Sequence, residues 1–566
     1  MRHRLVRVRA PPDNPGRVVD FESAAGRVKS TETKANRGTM PRHVDRIREW
    51  LLTELDLQAR TPPRQNQSLK KALRQGFYRK RLRMNQTIGL STVVVALLFG
   101  AGSGIARSDT WAVHGDIVSV SGARPGWVVF DQSSIRDVIY DQKGPGLPGN
   151  KPRHPDAVPA DAHLIPEKDN GYYPGYIFPG LIDCHNHAQW NVIPVWRPGR
   201  TFNNRYQWQE EPAYAKFVHD VYYDDIHGQR LELAALEYAE VRALIGGTTT
   251  LQSPYPVPVP PILVRNLDST YQADSEVGAV TKLQPDQLFR FRTGFGSGST
   301  RRVFLHIAEG RRDDARTQQE FPFLESIGLA RPGVVVIHGV ALTPPQFQTM
   351  KANGMYFVWS PSSNLTLYGQ TADIMAAIAA GVTVALAPDW TITGSNNVLE
   401  EMKVADEYSK QRLNGAVSRQ QIYAMATANA ARVAGLSDRL GVIVAGNSAD
   451  LILAPKLADD PFDSLLSTFP RHIQMVFIAG RPVYGDAEML KQYVAPAGVD
   501  EIPLPGDGTT KAVYLTNSPS GEYDGGLRFN YVVTILKQSL PKLAPLVEDT
   551  WPIDLRRPQV DGIPAR

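Results

Sequence analysis

The stretch Tyr176-Ile-Phe-Pro-Gly-Leu-Ile-Asp-Cys-His185-Asn-His187 is an apolar run that ends in two histidines separated by one residue. Side chains alternate between the two faces of a β-strand, so residues i and i+2 point the same way. A strand through this stretch therefore directs both imidazoles to one point, as ligands of a divalent transition metal require. The pair alone does not separate a metal site from two surface or core histidines.

Strands alternate with helices in the second half of the chain. Apolar runs predict strands at 303–309, 333–338, 356–360 and 382–389, and helical patterns with caps and glycine stops lie between and after them. Such alternation favours a parallel sheet with right-handed crossovers.

Three of these strands carry a polar residue at or near the C-terminal end, namely His306, His338 and Asp389. The carboxyl ends of the strands form the catalytic face of a (β/α)8 TIM-like barrel. We therefore expect these three residues to meet His185 and His187 at that face.

The charge of the chain is unevenly distributed. Of its 566 residues, the first 83 contain 21 Lys or Arg and 8 Asp or Glu, a net charge of +13, whereas the whole chain carries +5. Residues 1–83 are expected to be a basic disordered extension or sequence added by a start codon placed too early. The remainder is mildly acidic, which argues against nucleic acid as a partner. The single cysteine, Cys184, excludes an intrachain disulfide.

Residues 84–107 follow the basic cluster at 79–83, and 84–106 contain no charged residue. A positive flank, an apolar centre and a small-residue exit are typical of a signal peptide, and the length also suits a transmembrane anchor. Both alternatives place the rest of the chain outside the cytoplasm, in a periplasmic or extracellular location. Contact with a membrane is expected only through this segment, if it is not cleaved.

Short β-like runs flank the expected barrel, which spans residues 179–438. Those in 108–178 and 439–486 are expected to pair with each other and form a small β-sandwich domain from both flanks. The C-terminal extension, residues 487–566, is rich in Pro and Gly and shows one strand-like run at 530–535. It suggests no function.

The pattern resembles the amidohydrolase superfamily, and more closely its deaminase and chlorohydrolase branch. Pro179-Gly-Leu-Ile-Asp-Cys-His185-Asn-His187 is similar to the strand-1 motif of that family, and His306-Ile-Ala-Glu309 to the His-x-x-Glu of the branch. The resemblance covers roughly residues 111–486. It implies a (β/α)8 barrel with a β-sandwich, and one divalent metal ion bound by His185, His187, His306 and Asp389.

The roles implied by the resemblance are specific. Three neutral imidazoles and one carboxylate leave a divalent cation positively charged, and water bound to such a cation ionises near neutral pH. Asp389 is expected to accept that proton, His338 to hydrogen-bond the water or the oxyanion, and Glu309 to protonate the departing nitrogen. The expected reaction is hydrolysis of a non-peptide carbon–nitrogen bond in a small-molecule substrate: an amide, a cyclic amide or an aminated ring. Zn is the favoured metal, and Fe, Mn and Ni suit the same ligands.

Three features depart from the family pattern. Only about 50 residues separate Ser253 from the His306 strand, so a distorted barrel is expected there. The loop around 206–211 differs from the substrate loop of the familiar nucleobase deaminases. No convincing strand-4 lysine is present to bridge two metals, and Lys282 is the nearest candidate.

Two alternatives remain beside the mononuclear hydrolase. The first is a binuclear cyclic amidohydrolase in which Lys282 bridges two metals. The second is a non-catalytic binding scaffold on the same fold. Such scaffolds usually lack several ligand residues, whereas all of them are present in this chain.

Overall fold

The computed structural model describes residues 110–141, 158–254, 263–270, 273–276, 278–502, 504, 510–515 and 528–547. The predictions for residues 1–83 and 84–107 fall outside these ranges. Within them, no helix combines the length and the apolar character needed to cross a membrane.

The strands of these ranges are β1 (Trp111–Ser119), β2 (Gly122–Phe130), β3 (Ile135–Tyr140), β4 (His163–Leu164), β5 (Tyr172–Pro179), β6 (Leu181–Asp183), β7 (Thr248–Leu251), β8 (Arg265–Asn266), β9 (Ala273–Glu276), β10 (Arg302–Ile307), β11 (Val334–His338), β12 (Tyr356–Trp359), β13 (Thr383–Leu386), β14 (Leu451–Pro455), β15 (Met475–Ile478), β16 (Arg481–Asp486), β17 (Val499–Ile502) and β18 (Lys511–Tyr514).

The α-helices are α1 (Arg205–Gln209), α2 (Pro212–Tyr214), α3 (Glu232–Leu244), α4 (Leu267–Thr270), α5 (Pro285–Ser297), α6 (Ala315–Gln318), α7 (Glu320–Ser326), α8 (Pro344–Ala352), α9 (Pro361–Tyr368), α10 (Ile374–Ala379), α11 (Val398–Leu413), α12 (Arg419–Ala426), α13 (Ala428–Ala434), α14 (Pro461–Ser467), α15 (Ala487–Leu490) and α16 (Phe529–Ser539). Two π-helical segments, Ala215–His219 and Val221–His227, follow α2.

Eight parallel strands form the barrel-like part of the fold. Strands β6, β7 and β8 make one sheet, and β9 to β13 make a second sheet in sequential order. A parallel bridge between Asn186 and Asp389 joins the ends of β6 and β13. Within the described ranges, no ladder connects β8 to β9, so the barrel is not closed there. The break lies in the short span between Ser253 and His306, where the sequence predicts a distortion.

The strands of the second sheet are apolar because helices cover them. Val334–His338 is buried at every position, which is typical of a parallel strand enclosed on both faces. Helix α8 begins with a capping box in which Thr343 and Gln346 satisfy each other's backbone amides. Its C-terminal stop at Gly354, with a φ of 63°, returns the chain to β12.

The two flanks of the barrel form one sheet, as predicted. Strand β5 pairs antiparallel with β14, which connects the strands before the barrel to those after it. The resulting ten-stranded sheet runs β17-β18-β16-β15-β14-β5-β1-β2-β3, with β4 beside β1. All its strands are joined by ladders into this single sheet, so a two-layer sandwich stays a prediction.

The strand predicted at 530–535 is wrong, because this segment lies inside helix α16. Val532, Val533 and Ile535 are β-branched and suggested a strand. The buried positions, however, are Phe529, Val532, Leu536 and Leu540, which recur at helical spacing. Tertiary packing of this face therefore overrides the local β-propensity.

Candidate metal centre and active site

Four side chains predicted as metal ligands converge at the carboxyl ends of the strands. One ligand atom from each of His185, His187, His306 and Asp389 lies within 4.8 Å of the others. The Nε2 atoms of His185 and His187 lie 3.0 and 3.3 Å from Oδ1 of Asp389. The His187 side chain is 17% exposed and the Asp389 side chain only 5%, so solvent reaches the group mainly on the His187 side.

Backbone conformations at two strand ends aim their side chains into this site. His338, the last residue of β11, has a φ of 69°, and Asp389, three residues past β13, has a φ of 72°. Non-glycine residues rarely adopt this left-handed region, which costs about 1 kcal/mol or more. Their recurrence at two strand ends of one sheet, β11 and β13, indicates that side-chain placement is favoured there over backbone relaxation.

A hydrogen-bond chain fixes the protonation of His185. Gln252 donates from Nε2 to Asp268 at 2.6 Å, so its oxygen faces Nδ1 of His185 at 3.2 Å. Nδ1 must then carry the proton, which leaves a lone pair on Nε2 directed at the Asp389 carboxylate. Two acceptors facing each other at 3.0 Å require a cation or an added proton between them. The three-nitrogen, one-oxygen donor set fits a divalent metal ion such as Zn²⁺.

The pKa values of Asp389 and His306 favour the forms that metal ligands need. Burial opposes ionisation of Asp389, but the neighbouring His185 and His187 outweigh it and hold its pKa well below the usual range. Burial lowers the pKa of His185, but the neighbouring Asp389 outweighs burial and raises it. Burial, with repulsion from His185, places the pKa of His306 well below that of a free imidazole. A carboxylate and a neutral imidazole are thus the forms present at neutral pH.

The second oxygen of Asp389 is held by Ser363, whose hydroxyl donates to Oδ2 at 2.6 Å. Ser363 belongs to α9, together with Ser362 and Asn364. The structure buries all three completely beside the site. The hydrogen bond from Ser363 to a carboxylate of the candidate metal site is of the kind that tunes metal affinity.

His338 lies beside the ligand group, and its tautomer is also set by a neighbour. Asn364 donates from Nδ2 to Thr371 at 3.2 Å, so its oxygen faces Nδ1 of His338 at 3.0 Å. The proton therefore sits on Nδ1, and Nε2 is an acceptor. That Nε2 lies 3.8 Å from Oε2 of Glu309.

The two carboxylate oxygens of Glu309 have different neighbours, a hydroxyl at Oε1 and an arginine at Oε2. Tyr368 donates its hydroxyl to Oε1 at 2.7 Å. Nη1 of Arg205 lies 3.2 Å from Oε2, and both side chains are almost fully buried. Oε2 itself has no hydrogen-bond partner, although it is buried.

Lys282 does not join the group. It ends a 3-10 turn, Val280–Lys282, after strand β9, and its side chain is exposed. Its Nζ lies 5.7 Å from the centroid of the Tyr206 ring. Strand β9 itself contains no lysine. The structure therefore does not favour the lysine-bridged alternative.

Aromatic side chains surround the exposed edge of the metal group. The Trp390 ring packs edge-on against His187, with centroids 5.5 Å apart. Trp208 lies 6.0 Å from Trp390 and donates its indole N–H to Tyr368 at 2.8 Å. Tyr214 packs against Trp208 at 5.0 Å. Trp390, Trp208 and Tyr368 thus form a continuous aromatic wall that extends from His187 to the carboxylate of Glu309.

Several of these residues have no recognisable signal in the sequence. Arg205 and Tyr368 contact Glu309 from positions 104 residues before and 59 residues after it, and nothing in their local sequence marks them. Gln252 could have been found, because it directly follows strand β7. Polar residues at the carboxyl ends of the strands are candidate site residues in this fold.

Comparison with known proteins agrees with this arrangement. Residues 304–483 match the model of the amidohydrolase family. A 5-methylthioadenosine/S-adenosylhomocysteine deaminase from Desulfitobacterium hafniense is 32% identical over 201 residues, which cover 34% of this chain and 46% of that protein. A 5'-deoxyadenosine deaminase from Methanobrevibacter smithii is 30% identical over 159 residues, covering 27% and 37%. The chain thus spans less than half the length of these relatives.

Solved structures share the fold at low identity. An adenosine deaminase from Xanthomonas campestris with bound zinc has a TM-score of 0.51 and 17% identity, covering 66% of this chain and 92% of that one. A triazine hydrolase from Arthrobacter aurescens has a TM-score of 0.51 and 16% identity, covering 66% and 95%. These likenesses show a TIM-barrel-like α/β fold. The family match over residues 304–483 and the deaminase relatives show that this chain is similar to the amidohydrolase superfamily.

Proposed function

We propose that this protein is a metal-dependent hydrolase that removes an amino group from an aminated heterocyclic ring, a non-peptide carbon–nitrogen bond. The observation that carries the proposal is the convergence of His185, His187, His306 and Asp389 within 4.8 Å at the carboxyl ends of the strands. The same four residues are the ligands that the family resemblance implies.

These four residues would hold one divalent cation, and Zn²⁺ suits the donor set best. Bound there, such an ion supplies Lewis-acid activation of water near neutral pH. Fe, Mn and Ni suit the same ligands and are alternatives that metal analysis distinguishes.

Glu309 is the proposed proton carrier. Its Oε2 is buried beside the ligand group and ion-paired with Arg205, whereas Oε1 accepts a hydrogen bond from Tyr368. Glu309 acts first as a base and then as an acid: Oε2 takes a proton from the attacking water and then gives it to the departing nitrogen. The sequence-based expectation instead gives the water proton to Asp389 and uses Glu309 only as an acid.

His338 orients the water. With its proton on Nδ1, which donates to Asn364, Nε2 of the neutral ring accepts a hydrogen bond. An acceptor suits the attacking water better than a developing oxyanion, which needs a donor. Of the two roles that the sequence suggests for His338, we therefore propose the first.

The substrate class is proposed from the aromatic wall and the relatives. Trp390 and Trp208 present large planar side chains between His187 and Glu309, which suits a flat ring. The relatives are named as deaminases of adenosine derivatives. We propose an aminated purine or a similar aminated heterocycle.

Release of ammonia from a panel of aminated purines, pyrimidines and triazines, by the metal-loaded enzyme, tests the proposal. Glu309→Gln should lower kcat by about a hundredfold or more while metal content is unchanged. Glu325→Gln, an exposed glutamate on α7, is the matched control. No turnover on any aminated ring, with turnover of cyclic amides instead, would contradict the substrate class. Full activity in Glu309→Gln would contradict the role of Glu309.

A further inference from the structure

The C-terminal helix α16 is firmly attached to the rest of the protein. At its start, the Arg528 side chain donates to Asp500 from Nε at 2.9 Å and from Nη2 at 2.6 Å. The backbone N–H of Phe529 donates to Oδ2 of the same carboxylate at 2.8 Å. The helix then buries an apolar stripe made of Phe529, Val532 and Leu536. Asp500 is 3% exposed and the Arg528 side chain 43%, so the contact is buried on the side of the carboxylate.

The helix packs on α3 of the barrel. The rings of Phe529 and Tyr238 stack with centroids 5.9 Å apart and an interplanar angle of 15°. The Tyr238 hydroxyl donates to the backbone oxygen of Ala544 at 2.5 Å, beyond the end of α16. Tyr238 thus binds the segment 528–544 at both of its ends.

The same segment reaches the loop that follows the metal-binding strand β6. The N–H of Ala544 donates to the carbonyl of Val192 at 2.9 Å. One residue earlier, the carbonyl of Asn191 accepts from Nη1 of Arg242 at 2.8 Å. Arg242 lies one helical turn after Tyr238 on α3. Two successive carbonyls of the loop are therefore held, one by α3 and one by the C-terminal segment.

Asn191 transmits this support to the ligands. Its Nδ2 donates to Asn186 at 2.8 Å, and its Oδ1 accepts from the N–H of Thr391 at 3.0 Å. Asn186 lies between His185 and His187, and Thr391 is two residues past Asp389. The N–H of His187 in turn donates to the carbonyl of Asp389 at 3.0 Å. One buried amide side chain thus links two of the three chain segments that carry the proposed ligands, those of His185/His187 and Asp389.

From these contacts we propose that the C-terminal segment 528–544 is a positioning element of the metal centre: through Ala544, Val192 and Asn191 it holds the loop of His187 in register with Asp389. The inference rests on the proposed function only in that a metal binds these ligands. The proposal gives a role to part of the C-terminal extension, residues 487–566, for which the sequence suggests no function.

Hydrogen exchange of the amides of residues 187–193, in the metal-free full-length protein, tests the structural step without any metal. Ala544→Pro removes the donor to Val192, and Tyr238→Phe removes the donor to Ala544 while keeping the ring stack. Each should accelerate exchange in the loop by about fivefold, the effect of one hydrogen bond. Tyr531→Phe, on the same helix but 52% exposed, should change nothing. Unchanged exchange in a folded Tyr238→Phe variant would overturn the proposal.

The visible spectrum of the Co²⁺-loaded protein tests the effect on the ligands. A merely structural segment would leave the band positions of the bound cobalt unaltered, whereas a positioning element should shift them in Tyr238→Phe and Ala544→Pro and not in Tyr531→Phe. Dissociation of Co²⁺ into a chelator should also be several-fold faster in the two variants. An unshifted spectrum with accelerated loop exchange would overturn the positioning role. Failure of every protein to bind Co²⁺ would refute the proposed function instead.

Discussion

Replacing Arg205 by methionine tests the electrostatic arrangement around Glu309. Arg205 is 4% exposed, and its guanidinium lies 3.2 Å from Glu309. It also acts on Glu320, whose pKa is raised to about 7 because burial outweighs the favourable influence of Arg205. Methionine has a similar length but no charge, so the variant leaves both buried carboxylates without their shared cation.

The expected loss of stability is about 3–5 kcal/mol, the usual effect of removing one partner of a buried ion pair. The loss should be smaller in the double variant Arg205→Met/Glu309→Gln, because one of the uncompensated charges is then absent. Arg200 offers a matched control in the same loop. It pairs with Glu211 at 2.7 Å, but its side chain is 60% exposed, so Arg200→Met should cost less than about 1 kcal/mol.

Urea unfolding of the four proteins at pH 7, followed by tryptophan fluorescence and with excess metal throughout, measures these differences. The reasoning predicts a large loss for Arg205→Met, partial recovery in the double variant and almost no change for Arg200→Met. Equal effects of the two arginine substitutions, or a double variant less stable than Arg205→Met, would refute it.

Ser363→Ala should weaken metal binding by about 10- to 100-fold in competition with a chelator, because Asp389 loses the donor that orients it; unchanged affinity would contradict this. Asn364→Leu should reduce kcat by on the order of a hundredfold at full metal content, since His338 loses the acceptor that fixes its tautomer; normal kcat would argue against that role. Burial, with repulsion from nearby carboxylates, raises the pKa of Glu237 from 4.5 to about 8. The folded protein therefore retains a proton that the unfolded chain releases, so stability falls as pH rises from about 4.5 to 8. Urea unfolding at pH 5 and 8 should show a smaller loss of stability between the two pH values in Glu237→Gln than in the unsubstituted protein. An equal loss in both proteins would contradict this role of Glu237.

The convergence of the candidate site residues could be predicted from the sequence because each lies at a recognisable point. The candidate ligands His185 and His306, and His338 beside them, end or closely follow apolar runs, and Asp389 follows one after a proline. In parallel strands the carboxyl ends meet at one edge, so local patterns were sufficient to bring these residues together. The structure places them as expected.

The surrounding residues could not be predicted in this way. Arg205 reaches Glu309 from a loop whose path is determined by packing, including the antiparallel bridge between Asn204 and Gly310. Part of helix α16 was predicted as a strand because its β-branched residues suggest a strand locally. Its apolar helical face is recognised only once it is seen packed on α3. In both cases the deciding contacts are distant in sequence.

The metal content per chain is the most direct test of the central claim. The full-length protein, purified without chelators, should contain about one equivalent of a divalent transition metal by elemental analysis. His306→Ala should lose most of it, whereas His219→Ala, whose side chain is 54% exposed, should retain it. Two equivalents would contradict the mononuclear site. A folded protein that contains no metal and cannot be reloaded would contradict the metallohydrolase itself.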